Sequence, residues 1–337
     1  MTRGLLVAFL PLALLAAPLA AEAQPAAKVP RIGMLCAVTC SGEGTVRPPG
    51  AQSWRLLLVE ALQEMGYVNG RNIEIVYRTS AQSELEPLRL LARELVSLEL
   101  NMIVVVGDMV AVQAAQDATR SVPIIVAVSG DPVGLGLVHS LAHPGGNITG
   151  MTSVREALAV KGFEFLRATV PDVSRVAVLL DPSDPVHARA FKALEGALRS
   201  SGIDVLAINV AGPTNYQAQF STMTKDRIRA LVVLSSPNHY LNGSRLAYLA
   251  VTNRIAAVSS FREFAEVGGL ISYGPNWRDF YKRVASFVDR ILRGARPSDL
   301  PFEEPTTFEL VINLRTAKTL GLTIPPSVLA RADEVIQ

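Results

Sequence analysis

His139 and His143 stand four residues apart, the spacing that puts two imidazoles on one helical face and can begin a metal site. The chain has 4 His in all, and neither a carboxylate nor a third His lies at a matching local spacing, so a solvated helix face is expected and no metal. Gly134 and Gly136 offer two glycines of a phosphate-cradling G-x-G-x-x-G, but the third is missing. The first strand, where a dinucleotide fingerprint would sit, opens instead onto CAVTCSGEGT, so no nucleotide or other cofactor is expected. There is no G-x-S-x-G elbow and no Ser, His and acid grouping in the sequence, hence no expected catalytic residue. Cys36 and Cys40, the only 2 cysteines, supply half of a zinc ligand set; a small local disulfide or two plain thiols is the expected outcome.

What remains are short polar loops that leave apolar runs and enter helix-like segments. Gly107-Asp108-Met109, Asp131-Pro132-Val133, Asp181-Pro182 and Ser235-Ser236-Pro237 are of this kind, and Cys40 and Ser41 follow the first run. At such places backbone N–H groups point at a helix start, where a polar or anionic ligand can bind. Asp108, Asp131, Asp181 and Ser236 are equally fitted to cap those helices, and the two roles are compatible. Tyr273, Phe261 or Trp277 can supply an apolar wall, with membership of the core as the alternative. The planar fork of Arg262 suits a ligand carboxylate; its alternative is an ion pair with Glu263 or Glu266.

These loops need a frame. Runs rich in β-branched residues recur at Arg31, Ile73, Met102, Val122, Arg175, Asp204, Ala230 and Ala256, reading as strands buried on both faces. Between them lie amphipathic helix-length segments: 52–65, 84–100, 110–119, 161–169, 188–200, 216–227 and 243–253. LGLVHSLAH, from Leu135, reads as a further helix. The alternation runs twice, broken near HPGGNITG and again near GGLISYGP; a helix over 277–293, the run TFELVIN and a closing helix near 316–320 follow. Fold class is therefore α/β, two Rossmann-like lobes with a central cleft, joined by several crossings. The expected division is 29–148 plus 275–303 for the N-terminal lobe and 152–272 plus 307–337 for the C-terminal lobe.

Of 337 residues 49% are hydrophobic, and Lys+Arg 32 nearly balances Asp+Glu 30, which leaves no electrostatic footprint for nucleic acid. Residues 1–23 carry Arg3, an apolar stretch from Leu5 to Ala20 broken by Pro11 and Pro18, and Ala21-Glu22-Ala23 as a small-x-small end. That pattern reads as a signal peptide cleaved near Ala23, and the expected location is the periplasm. The run is shorter than the roughly 20 residues that span a bilayer.

VPIIVAVSGDPVGLGLVHSLAHPGGNITG, FREFAEVGGLISYGP and TTFELVINLRTAKTLGLTIPPSVLARADEVI, with ALQEMGYVNGRNIEIVYR near the start, resemble signature segments of the ABC transporter substrate-binding protein family of the TrpX type. The resemblance implies a periplasmic-binding-protein-like fold of type I, its lobes joined by three inter-lobe crossings, that closes on a small-molecule ligand and delivers it to a membrane permease. It also implies that the strand-end loops line the cleft and that Ser272-Tyr273-Gly274 lies at a hinge. Relatives often carry G-T-x-A-A where this chain has Gly107-Asp108-Met109-Val110-Ala111, and a carboxylate there would repel an anionic ligand group unless a cation offsets it. The expected protein is a monomeric, exported solute-binding component that binds a small polar or amphipathic molecule, an amino acid or related compound among the candidates. A periplasmic ligand sensor and a periplasmic α/β enzyme are the alternatives.

Overall fold

The first sheet is built from runs with no polar side chain to place in water. Met102, Ile103, Val104, Val105 and Val106 are fully buried in β3 (Met102–Gly107), as a parallel strand covered on both faces must be. A computed structural model describes residues 29–37, 54–80, 83–128, 130–152, 155–184, 186–210 and 215–337. The leader 1–23, Cys40 and Ser41 lie outside the described residues.

β1 (Arg31–Ala37), β2 (Glu74–Ser80), β3, β4 (Ile124–Val128) and β5 (Ile148–Met151) form a five-stranded parallel sheet in the order β2-β1-β3-β4-β5. On one face lie α2 (Leu85–Val96) and α3 (Met109–Ala118); on the other lie α1 (Trp54–Glu64) and α10 (Trp277–Leu292), which returns late in the chain. The second sheet has seven strands, ordered β12-β11-β10-β9-β8-β6-β7. Its members are β6 (Arg175–Leu180), β7 (Asp204–Asn209), β8 (Ala230–Val233), β9 (Ala256–Ser259), β10 (Ile271–Pro275), β11 (Phe308–Asn313) and β12 (Glu334–Ile336), and only the β10–β11 pairing is antiparallel. One face carries α4 (Arg155–Thr169), α5 (His187–Arg199), α11 (Leu314–Leu320) and α12 (Pro326–Leu329); α6 (Tyr216–Lys225) and α8 (Gly243–Thr252) cover the other. The result is a two-lobed α/β architecture built on two sheets of mainly parallel strands. Strand order reverses between β1 and β3 and between β6 and β8, so a crevice opens at the carboxyl ends of each sheet.

The chain crosses between sheets along a stitched seam. Thr152 N–H donates to the Glu303 carbonyl at 2.9 Å, Glu303 N–H to the Gly150 carbonyl at 3.0 Å, and Asn276 N–H to the Thr307 carbonyl at 3.0 Å. The three connections thus share backbone hydrogen bonds.

Two local expectations fail. Residues 135–143 form turns rather than a helix: Gly136 takes φ +70°, Gly145 +71° and Gly146 +68°, and the Leu137 N–H reaches back to the Pro132 carbonyl at 2.9 Å. Glycines held at positive φ interrupt the helical ladder, so His139 and His143 share no helical face. The glycines of GGLISYGP also mislead. Ser272-Tyr273-Gly274 is the middle of β10, inside the second sheet, and the crossing comes after it. A Cβ on Gly274 would lie 1.8 Å from the Ser260 carbonyl oxygen, so this glycine admits a neighbouring backbone instead of making a turn.

Candidate functional site

At the carboxyl end of the second sheet Asp181 is 2% exposed and organises the loops around it. One carboxylate oxygen accepts from the Ser183 N–H at 3.0 Å and the Ser183 hydroxyl at 2.6 Å; the other accepts from the Ser236 hydroxyl at 3.1 Å and the Asn238 amide at 2.7 Å. Burial alone would raise its pKa, but the hydrogen bonds from Ser183 and Asn238 outweigh burial and hold the carboxyl below its ordinary value. His187, 1% exposed, spans the same two loops. Its Nδ1 accepts from the Asp181 N–H at 2.8 Å, which leaves the proton on Nε2 to donate to the Ser235 carbonyl at 2.9 Å. Ser236 also caps α7 (Pro237–Leu241), accepting from the His239 N–H at 3.1 Å, with Pro237 at the first helical position where its missing N–H costs nothing. Pro182 is exposed beside this network. Asp181, Pro182, Ser235, Ser236 and Pro237 are therefore brought together; His187 and Asn238, which sequence reasoning missed, hold them there.

Next to the network is a mainly apolar slot of about 360 Å³ counting the gaps between side chains and the open mouth, of which about 20 Å³ is open to the centre of a water molecule. Leu158, Ala159 and Gly162 of α4 face Val258 and Tyr273 across it, and Ser235 and Ser260 lie at its polar end. A Cβ on Gly162 would sit 3.3 Å from Val258, so the glycine lets α4 approach the sheet. The ring of Tyr273 is half-buried, 5.1 Å from Phe165 and stacked on Phe308 at 6.0 Å, which fixes its plane as a wall. The hydroxyls of Ser235 and Ser260 are hydrogen-bonded to one another.

The first sheet contributes differently. Gly107 has φ +122°, and a Cβ there would lie 2.6 Å from the Ala37 carbonyl oxygen. Asp108, 5% exposed, accepts from the Ala111 N–H at 3.0 Å as the cap of α3 and accepts a second hydrogen bond from the Ser83 hydroxyl. Its carboxylate is engaged within its own lobe, and Met109 is buried in the core between α2 and α3. Asp131 accepts from the Gly134 N–H at 2.8 Å and pairs at 2.6 Å with Arg189 on α5, across the cleft. A Cβ on Gly134 would stand 1.7 Å from the Arg189 Nη1, so this glycine clears the path for the guanidinium. Pro132 is buried and Val133 is 39% exposed in the same turn. Cys36 at the end of β1 is buried and disulfide-bonded; the chain's other cysteine, Cys40, lies outside the described residues.

Two aromatic expectations resolve into packing, and one charge is spent. Phe261 and Trp277 belong to a buried cluster with Trp54 and Tyr240: Trp54 lies 5.3 Å from Tyr240 and 5.4 Å from Trp277, and Tyr240 4.8 Å from Phe261. The cluster joins residues packed on both sheets. Arg262, at the start of α9 (Arg262–Glu266), does not present a fork to a ligand. Its Nε pairs with Glu266 at 2.9 Å, one terminal nitrogen with Glu309 at 2.6 Å and the other with Glu334 at 2.6 Å. Three carboxylates of its own lobe raise its pKa against the opposing effect of burial, and the guanidinium ties α9 to the β11–β12 edge.

Among the described residues no group of three or more His, Cys, Asp or Glu is placed to hold a metal. No helix among them is long and apolar enough to cross a membrane. The site offers capped helix starts, hydroxyls and an apolar slot, which suit binding.

The comparisons agree. A curated tyrosine-binding protein of Clostridioides difficile is 25% identical over 281 residues, covering 82% of this chain and 79% of the relative. A conserved domain protein of Vibrio cholerae matches in structure with a TM-score of 0.81 at 24% identity, over 91% of this chain and 100% of that one. An ABC domain of Streptococcus pneumoniae in complex with L-Trp matches with a TM-score of 0.80 at 24% identity, over 91% and 99% of the two chains. The family model described as ABC transporter substrate binding protein matches residues 45–336. The chain therefore belongs to the ABC transporter substrate-binding protein family, whose members bind small ligands.

Proposed function

We propose that this protein is the exported, monomeric capture component of an ABC importer, and that its ligand is a small aromatic amphipathic compound of the amino-acid or aromatic-carboxylate class. The observation that carries the ligand class is the slot between α4 and the ends of β8–β10. Its walls are apolar and include the face of Tyr273, while the paired hydroxyls of Ser235 and Ser260 mark its polar end. A ring enters this slot by spreading α4 from the strand ends, and its polar head group then reaches the hydroxyls and the N–H groups at the nearby helix starts. The relatives that bind tyrosine and L-Trp support the same class.

Capture then works by closure. Residues 29–148 plus 275–303 move as one lobe and 152–272 plus 307–337 as the other, bending at the band of crossings, and the closed form gains contacts that both lobes make only around ligand. The Asp131–Arg189 pair and the aromatic cluster already join the lobes without ligand, and the ligand adds to them. The closed complex docks on a membrane permease, which releases the solute. The leader-like segment 1–23 supports export to the periplasm.

A thermal-shift panel run on protein refolded free of co-purified solute tests the ligand class. Aromatic amino acids and hydroxybenzoates are expected to raise the melting temperature, since a ligand at 100 times its Kd adds about 2.7 kcal/mol. A panel in which only sugars or aliphatic amino acids shift the melt contradicts the reading.

A further inference from the structure

Beside the slot and sharing Ser259 with it, residues of α7, α8, β9 and α9 line a second cavity. It measures about 230 Å³ counting the gaps between side chains, of which about 10 Å³ is open to the centre of a water molecule, room for one. Tyr240, Phe261, Phe264 and Val267 make it apolar, yet two buried polar atoms border it without a protein partner: Nε2 of His239 and Oε2 of Glu263. His239 is 2% exposed and Glu263 5%. Leaving such atoms unpaired costs about 1–3 kcal/mol each.

The protonation of each side chain follows from its surroundings. His239 Nδ1 lies 2.7 Å from the Leu234 carbonyl, which only accepts, so the imidazole carries its proton on Nδ1 and leaves Nε2 with a bare lone pair. The buried Tyr216 of α6, whose hydroxyl also lacks a protein partner among the described residues, packs 6.2 Å from the ring and stays neutral because burial raises its pKa. Glu263 is deep in apolar packing, and its neighbour Arg262 is already committed to Glu266, Glu309 and Glu334. A neutral carboxylic acid is the form such a place favours, and it supplies the donor that the His239 lone pair lacks.

We propose that this cavity is a binding site for one water molecule bridging His239 Nε2 and Glu263, and that the two side chains share a single proton, which folding moves from the imidazole to the carboxyl. The water accepts from the Glu263 O–H and donates to Nε2, with the Ser259 side chain also at the cavity wall. In the unfolded chain near pH 5.5 the proton sits on His239 and Glu263 is ionised; in the folded chain the histidine is neutral and the glutamic acid protonated. No net proton is taken up or released.

The electrostatics agree. Burial, and then the neighbouring His187, lowers His239 to about 4 against the partly opposing Leu234 hydrogen bond and the charges of Asp181 and Asp184. Burial raises Glu263 to about 7 against the hydrogen bond from its own backbone N–H and the charge of Arg262, with Glu266 and Glu309 adding to the rise. The consequences for stability have opposite signs. A lowered histidine contributes stability above its unfolded value of 6.5, lost as pH falls toward about 4. A raised carboxyl contributes stability below its unfolded value of 4.5, lost as pH rises toward about 7. Together they cancel across the mildly acidic range, so the Tyr240–Phe261 seam that backs onto the cavity is insulated from acidification.

Urea unfolding of the whole mature protein between pH 4 and 8 tests this with E263Q and H239N. Relative to wild type, the folded-to-unfolded ratio of E263Q is expected to rise with pH between 4.5 and about 7, approaching tenfold per unit. That of H239N is expected to fall with pH between about 4 and 6.5. If H239N does not fold, the E263Q series alone decides. A pH-independent E263Q difference, slopes of the same sign, or a Zn2+-induced rise in wild-type melting temperature that both variants lose would each overturn the proposal. A high-resolution crystal structure is expected to place one water within hydrogen-bonding distance of both atoms; a direct His239–Glu263 contact would contradict it.

Discussion

The carboxyl ends of the two sheets face one cleft but are built in opposite ways. In the first lobe the backbone does the work: Gly107 and Gly150 admit neighbouring strands where a Cβ would lie 2.6 and 2.2 Å from carbonyl oxygens, and Asp108 is turned inward to cap its own helix. In the second lobe side chains do it, with Asp181, Ser236, Asn238 and His187 cross-bonded and an apolar slot beside them. We propose on this contrast that ligand selection belongs to the second lobe and that the first serves as the lid.

The largest effects should come from attacking the close approaches. Gly150→Ala in the first sheet and Gly274→Ala in the second each force a Cβ to within 2.2 and 1.8 Å of a backbone carbonyl oxygen, and each is expected to cost roughly 3–5 kcal/mol in urea unfolding. Equal losses would show that both sheets rely on the device; a tolerated substitution at either would show that its strands can part.

Next is Asp181→Ala, which strands the Ser183, Ser236 and Asn238 donors and should cost about 2–4 kcal/mol. Because the folded-state pKa of Asp181 lies below its unfolded 3.8, its contribution is present above that value and lost as pH falls. Asp181→Asn should therefore flatten the acid limb of the stability profile, whereas Asp108→Asn, which keeps a capping oxygen, should cost only about 1 kcal/mol at neutral pH. A larger loss at Asp108 than at Asp181 would reverse the assignment of roles.

The smallest effect on stability is expected from Arg189→Ala. Its pair with Asp131 is 52% and 29% exposed, so it is worth at most about 1 kcal/mol. Unfolding should barely change, while ligand dissociation should quicken a few-fold at low salt and the difference should vanish at high salt. Salt-independent dissociation in both proteins would remove this pair from closure.

Much of the frame was legible because buried parallel strands leave runs such as MIVVV and RVAVLL that little else produces. β5, β10 and β12 were missed, since ITGM and ISYGP carry glycines and EVI is short; a glycine that admits a neighbouring backbone looks, in sequence, like one that makes a turn. The same ambiguity produced the false helix at 135–143. In the site, capping residues were visible from type and position, as with Asp108, Asp181 and Ser236. The partners of those residues were not. His187 meets Ser235 across 48 positions, and Arg262 finds Glu309 and Glu334 across 47 and 72, distances at which only the fold decides who pairs with whom.

Isothermal titration of L-tryptophan and L-tyrosine into wild type, Tyr273→Ala and Asp131→Ala tests the division of labour most directly. Removing the ring wall should weaken binding at least tenfold, as expected for losing a stacked aromatic contact and its buried area, while Asp131→Ala should weaken it no more than about fivefold. Unchanged affinity in Tyr273→Ala, together with lost binding in Asp131→Ala, would place ligand selection in the first lobe and contradict the account.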